Sequence, residues 1–114
     1  MNLELRTHQV DLVNALRAYA ERLLQSKLGP HAEHVRKLKL RLTQHDSANC
    51  DAPKLCFLAA ELVPSGELIV METSRDLFMA VSRAIERFKT ALRRKVERQR
   101  STRRSRESVK NPIS

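Results

Sequence analysis

The spacing of apolar residues changes period along the chain, and each change predicts a new element. Leu3 and Leu5 alternate with polar neighbours, which is typical of a half-buried strand. Residues 11–28 contain no glycine or proline and repeat apolar side chains every three or four positions. This second segment is predicted to be a helix that ends at Gly29 and Pro30.

Three further strands are predicted in the middle of the chain. The first has leucine at positions 38, 40 and 42, so it has one apolar face and one basic face, the latter formed by Lys37, Lys39 and Arg41. Residues 44–53 are polar and small, which indicates a loop. Residues 54–62 and 67–73 are then two strands, and the turn signal at 63–66 predicts that they pair antiparallel.

A long second helix is predicted after Ser74, which is suited to be its N-cap, with Asp76 in the first turn. Its apolar residues fall within a stripe of about a third of the helix circumference, and they are Phe78, Val81, Ile85, Phe88, Leu92 and Val96. The pattern stops after Arg98. Residues 99–114 are rich in arginine and serine, and they are predicted to be a disordered basic tail.

The element order is therefore β-α-β-β-β-α, which predicts an α+β fold. Two helices with single apolar stripes and four amphipathic strands fit one package, a four-stranded sheet with both helices packed on one face. A chain of 114 residues has room for one core. We assign residues 1–98 to one domain and residues 99–114 to the tail. The chain shows no signal peptide or membrane-spanning run, so we expect a cytoplasmic protein without a membrane partner.

The net charge of +9 is concentrated in one segment, residues 83–106. That segment holds eleven basic and two acidic residues, whereas the rest of the chain holds eleven of each. A local basic element on a neutral body is typical of a protein that binds a polyanion. Nucleic acid is the first candidate, and an acidic protein or a lipid surface is the alternative.

The residue types that catalysis needs do not occur in recognisable patterns. The chain has two glycines, both at predicted turns, so it lacks a phosphate-binding loop, and its carboxylates are scattered among bases. Cys50 and Cys56 are more typical of reduced thiols than of a disulfide, and with His45 they make a weak zinc candidate. We therefore expect no enzyme, no cofactor, no metal and no small-molecule substrate.

The second helix has the clearest candidate site. Arginines at i, i+4 spacing lie opposite its apolar stripe, and the basic residues assigned to this surface are Arg83, Arg87, Arg94 and Arg98, flanked by Arg93 and Lys95. Arginine makes planar, bidentate contacts with phosphate. A solvated helix face is the alternative, but such faces usually mix charges of both signs.

Other basic residues extend this prediction less directly. Lys37, Lys39 and Arg41 either enlarge the positive surface or only discourage edge pairing of the strand. Phe57, Phe78 and Phe88 are placed in the predicted core and Tyr19 on the first helix, so no platform for stacking single-stranded bases is expected. Recognition of folded RNA by phosphate and shape is favoured, and we expect the tail, with Arg100, Arg103 and Arg104, to add affinity.

Three segments resemble a known family, the ribosome hibernation promoting factors and ribosome-associated inhibitor A proteins, also called ribosomal subunit interface or sigma-factor modulation proteins. The resemblance covers about residues 1–98 and is carried by residues 15–20 (ALRAYA), 66–68 (GEL) and 76–88 (DLFMAVSRAIERF). Family members have the same β-α-β-β-β-α order. The chain resembles their short form, which lacks the additional C-terminal domain of the long form.

This resemblance implies a stress or stationary-phase factor of bacteria that binds the small ribosomal subunit. Such factors occupy the channel for messenger and transfer RNA and inhibit translation. Arg87, Arg93, Arg94 and Lys95 match basic family positions that face ribosomal RNA. In the first helix Leu23 and Ser26 replace the usual lysines, with Arg22 and Lys27 alongside, and Thr90 stands where arginine is common.

Away from the ribosome we expect a monomer. Two other readings stay open, a double-stranded RNA-binding module and a divergent paralogue that regulates through protein interaction. The former would start α-β-β-β-α, without the leading strand.

Overall fold

A computed structural model describes residues 2–8, 13–44 and 52–110. The predicted order β-α-β-β-β-α is confirmed, and the elements are β1 (Asn2–His8), α1 (Val13–Leu28), a short 3-10 helix (Gly29–His34), β2 (Val35–Gln44), β3 (Lys54–Leu62), β4 (Glu67–Ser74) and α2 (Leu77–Lys110). The predicted start of α1 at residue 11 and most of the loop at 44–53 lie outside the described residues.

The four strands form one mixed sheet in the order β1-β2-β3-β4. β1 runs parallel to β2, whereas the pairs β2–β3 and β3–β4 are antiparallel. The predicted turn closes the β3–β4 hairpin, where the Leu62 amide donates to the Gly66 carbonyl at 2.9 Å. Gly66 has a φ of 108°, a backbone conformation that L side chains rarely adopt. The parallel leading strand β1 is the element that a double-stranded RNA-binding module would lack.

Alternation along the strands places one face of the sheet in the core. In β2 the leucines at 38, 40 and 42 are buried, and in β3 Cys56, Leu58, Ala60 and Leu62 are buried. Both helices pack on this face, with Leu16, Ala20, Leu24 and Leu28 of α1 and Val81, Ile85, Phe88 and Leu92 of α2 in the same cluster. Phe88 is the largest fully buried side chain among the described residues. Its burial agrees with its position in the apolar stripe.

The start of α2 differs from the prediction, because Asp76 rather than Ser74 is its N-cap. The Asp76 carboxylate accepts hydrogen bonds from the amides of Phe78 (2.8 Å) and Met79 (3.2 Å). Those are the second and third helical residues, whose amides lack a partner within the helix. Ser74 is the last residue of β4, and its hydroxyl accepts from the Asp76 amide at 3.2 Å.

The tail is predicted to begin at residue 99, within the C-terminal part of α2. The helical backbone continues through Arg98 to Lys110. Between residues 77 and 110 there is no glycine or proline to stop it, and arginine and glutamate have high helix propensity. Val96 is the last buried residue in the described part of the helix, so packing against the sheet ends near the predicted boundary.

Not all of the aromatic residues lie at the positions predicted from the sequence. Phe88 is in the core, and Phe78 packs partly buried against it with Tyr19, the two rings lying edge to face at 5.1 Å. Phe57 instead lies on the opposite face of the sheet, as its half-buried position between buried Cys56 and Leu58 shows. The prediction of a core position for Phe57 is wrong, because a central strand with apolar residues on both faces has no clear alternation.

Candidate nucleic-acid interface

The face of α2 opposite its buried stripe presents a row of exposed arginines. Arg83, Arg94 and Arg98 are exposed along this face, with Arg93 exposed on its flank. Within the described part of the chain none of these four forms an ion pair. The helix period dictates this arrangement, because the stripe from Phe78 to Val96 fixes which positions point away from the sheet. The result is a surface of uncompensated positive charge on a rigid element.

Arg87 and Lys95 belong to the same helix but reach the edge strand β4. Arg87 Nη1 donates to the main-chain oxygen of Met71 at 3.1 Å and to the Glu72 carboxylate at 3.0 Å. Lys95 Nζ donates to the main-chain oxygen of Glu67 at 3.0 Å. The Arg87 side chain is nonetheless 64% exposed, so one guanidinium can serve both the strand and an external ligand.

Two basic residues predicted on α1 take different positions. Arg22 is exposed, whereas Lys27 lies 2.6 Å from the Glu86 carboxylate of α2. The hydrogen bond and charge of Lys27 lower the pKa of Glu86. Lys27 therefore links the two helices and neutralises one of the few acids near the arginine row.

The basic residues of β2 lie on a separate surface. Lys37, Lys39 and Arg41 point away from the helices, so the sheet stands between them and the arginine row. Lys37 pairs with Glu4 at 3.5 Å, and Arg6 binds the same carboxylate at 3.0 Å. The hydrogen bond from Arg6 and the neighbouring positive charges lower the pKa of Glu4. The structure thus divides the predicted residues between two faces of the molecule.

The sequence interpretation missed an apolar group on this second surface. Phe57 lies there beside Met71, its partner across the β3–β4 register, and the Arg41 guanidinium is 6.0 Å from the Phe57 ring centroid. Ile69 and Met71 are 57% and 55% exposed. The β3–β4 hairpin signal indicates that the two strands pair, but it does not show which face of them is buried, so it does not place Phe57 and Met71 on the open face.

The remaining predicted basic residues lie on the C-terminal part of α2. Arg100, Arg103 and Arg104 belong to its helical backbone, but their side chains fall outside the described part of the structure. Their assignment to RNA binding stays a prediction.

Groups suited to covalent or metal chemistry are sparse among the described residues. Cys56 is a buried free thiol, and burial, with a smaller contribution from Glu72, raises its pKa to about 12. Such a thiol is protonated and unreactive at neutral pH. Residues 2–8, 13–44 and 52–110 bring together no set of three His, Cys, Asp or Glu side chains that could hold a metal ion. Cys50 and His45 lie outside these ranges. The described helices include none with the length and apolarity to cross a membrane.

Comparison with known proteins agrees with this architecture. The fold is similar to that of a ribosomal subunit interface protein from Coxiella burnetii, with a TM-score of 0.71 and 18% identity over 85% of this chain and 99% of that one. It is also similar to the N-terminal domain of Protein Y from Thermus thermophilus, with a TM-score of 0.64 and 24% identity over 82% of this chain and 98% of that domain. No curated protein matches the chain in sequence.

A family model described as sigma 54 modulation protein / S30EA ribosomal protein matches residues 3–100. The match includes all of the sheet except the first residue of β1, together with α1 and the arginine row of α2. The chain therefore belongs to the sigma 54 modulation protein / S30EA ribosomal protein family.

Proposed function

We propose that the protein binds ribosomal RNA of the small subunit in the channel for messenger and transfer RNA, and inhibits translation during stress or stationary phase. The observation that carries this proposal is the row of exposed, unpaired arginines on α2 in a member of a ribosomal protein family. The protein acts in the cytoplasm as a monomer until it meets the ribosome.

The arginine row suits a folded RNA because of its geometry. Residues one helical turn apart are separated by about 5–6 Å along the axis, so Arg94 and Arg98 present guanidinium groups at that interval. Arg83 extends the same face about three turns before Arg94, and Arg87, which also binds β4, lies between them. Each can make bidentate contacts with a phosphate, and these contacts require no base sequence. The fixed helix holds the backbone of the row in place, so less backbone entropy is lost on binding than for a flexible basic segment.

Occupation of the channel explains inhibition without any catalytic group. A domain bound where messenger and transfer RNA bind excludes both by competition. Affinity that depends on phosphate contacts falls steeply with salt, so binding is strongest at low ionic strength.

The proposal is tested by sedimentation of purified 30S and 50S subunits with the protein through a sucrose cushion. We expect co-sedimentation with 30S subunits, and loss of it when messenger and initiator transfer RNA are bound first. Arg94→Ala should weaken binding several-fold, whereas Arg36→Ala, which removes an equal charge from an exposed position of β2, should not. Equal binding to both subunits, or equal effects of the two substitutions, would overturn the proposal.

A further inference from the structure

The face of the sheet that the helices leave open has a distinct chemistry. Its side chains come from alternate positions of the four strands, and the register arranges them in rows across the sheet. One row contains Arg6, Arg41, Phe57 and Met71, and the next contains Glu4, Lys39, Ala59 and Ile69. In these two rows the charged residues lie on β1 and β2 and the apolar residues lie on β3 and β4. The adjoining row contains Lys37, Glu61 and Glu67.

The apolar half of this face is a contiguous patch. Ile69 and Met71 are more than half exposed, and Phe57, Leu55 and Ala59 are partly exposed beside them. None of the described elements packs over these side chains. A contiguous apolar patch on a small protein is typical of an interaction site, whereas single exposed apolar residues are not.

The basic half contains two exposed cations on β2, and Glu4 of β1 is the register partner of one of them, Lys39. Lys39 and Arg41 are exposed and form no ion pair within the described residues, whereas Lys37 and Arg6 share Glu4. Arg41 lies over the Phe57 ring with 6.0 Å between the guanidinium carbon and the ring centroid. Positive charge and an aromatic surface are thus adjacent on neighbouring strands.

We propose that this open sheet face binds single-stranded RNA, with phosphates at Lys39 and Arg41 and bases against Phe57, Ile69 and Met71. A nucleotide has an anionic phosphate and a flat base with apolar faces, and the two halves of this surface match those two parts. Neighbouring residues on the same face of a strand are about 6.7 Å apart, so Lys39 and Arg41 can contact successive parts of one backbone.

Single-stranded RNA on the open sheet face is favoured over a β-strand added at the edge strand β4. Peptides and second copies commonly join a sheet through its edge, by hydrogen bonds to exposed main-chain groups. On β4 the carbonyls of Met71 and Glu67 already accept hydrogen bonds from Arg87 and Lys95. A strand added at this edge would have to displace both side chains, whereas RNA on the open face would leave them in place.

This site is independent of the proposed function, because it lies across the sheet from the arginine row. The test uses the full chain and a fluorescein-labelled oligouridine, followed by fluorescence anisotropy. We expect Phe57→Leu, which keeps apolar bulk but removes the ring, and Lys39→Ala each to weaken binding by roughly ten-fold or less. Met71→Gln changes an exposed side chain and serves as a second probe of the apolar half, with melting temperature as the check on folding.

Arg75→Ala removes an equal charge from an exposed residue that is assigned to neither surface, and it should leave oligouridine binding almost unchanged. Arg94→Ala reports on the helical face. If Arg94→Ala weakens oligouridine binding while Phe57→Leu, Lys39→Ala and Met71→Gln do not, RNA binds the helices and the inference is overturned. Binding of a labelled acidic peptide in preference to oligouridine, lost in the same sheet variants, would also overturn it. Sedimentation with 30S subunits tests the proposed function separately, and Phe57→Leu should leave that binding intact.

Discussion

The guanidinium of Arg87 donates a hydrogen bond to the main-chain oxygen of Met71, 3.1 Å away, and so joins α2 to the edge strand β4. The same Nη1 atom lies 3.0 Å from the Glu72 carboxylate. Arg87 therefore holds α2 against β4 in addition to carrying a positive charge, whereas Arg94 has no partner in the described part of the chain.

The two arginines should respond differently to substitution. Arg87→Ala removes the edge contact and is expected to lower the free energy of unfolding by about 1 kcal/mol or less, since the pair is exposed. Arg94→Ala should leave that free energy unchanged within about 0.5 kcal/mol while weakening 30S binding. Urea unfolding of both variants beside 30S sedimentation checks the distinction. Equal stability losses would mean that the Arg87 contact contributes nothing measurable.

Phe88 is expected to be the position in α2 most sensitive to truncation. It is fully buried between the helices and the sheet, so Phe88→Ala should cost roughly 3–5 kcal/mol by leaving a cavity. Met79 is 48% exposed on the same helix, and Met79→Ala should change stability by about 0.5 kcal/mol or less. Denaturant midpoints of the two variants give the comparison, and a small loss for Phe88→Ala would contradict the assigned helix face.

The ion pair between Lys27 and Glu86 predicts a small dependence of stability on pH. The pKa of Glu86 in the folded chain lies below its usual value of 4.5, chiefly because Lys27 donates a hydrogen bond to it. A lowered folded pKa means that the contribution is present above the unfolded pKa and disappears as pH falls through the folded pKa.

Melting temperatures across acidic pH measure that contribution. Glu86→Gln should lower the melting temperature slightly near neutral pH and have no effect once the carboxylate is protonated. Glu97→Gln is a matched control, because Glu97 is exposed on the same helix and forms no ion pair within the described residues. An equal pH response in both variants would show that the contact with Lys27 does not stabilise the fold.

The period of the apolar residues alone predicts the elements whose two faces differ in polarity. Leucines 38, 40 and 42 alternate with basic residues, so β2 and its inward face follow from the sequence. β3 is apolar on both faces, and for that reason its pattern predicts a core position for Phe57, which lies on the open side of the sheet. Only the tertiary packing of the helices selects which face of such a strand is buried.

The start of α2 depends on which of two neighbouring residues becomes its N-cap. Ser74 and Asp76 are both suitable N-caps, and pairing of Ser74 with Lys54 in the sheet leaves the cap to Asp76. The helix period predicts the arginine row, but it does not predict which basic residues of α2 stay exposed and which bind β4. The attachment of Arg87 and Lys95 to β4 depends on how α2 lies across the sheet, which no local pattern determines.

The C-terminal segment is expected to strengthen RNA binding without stabilising the domain. Residues 99–114 contain five basic residues and one acidic residue, and the last buried side chain in the described part of α2 is Val96. A chain truncated after Arg98 should therefore melt at nearly the same temperature. It should also bind 30S subunits more weakly, with a smaller dependence of affinity on salt, because fewer phosphates are neutralised.

Replacement of Arg100, Arg103 and Arg104 by glutamine in the full chain keeps its length, and it should reproduce most of the loss of affinity if charge is the cause. A lower melting temperature would show that the segment packs on the domain, and an unchanged salt dependence would place its charges away from the RNA.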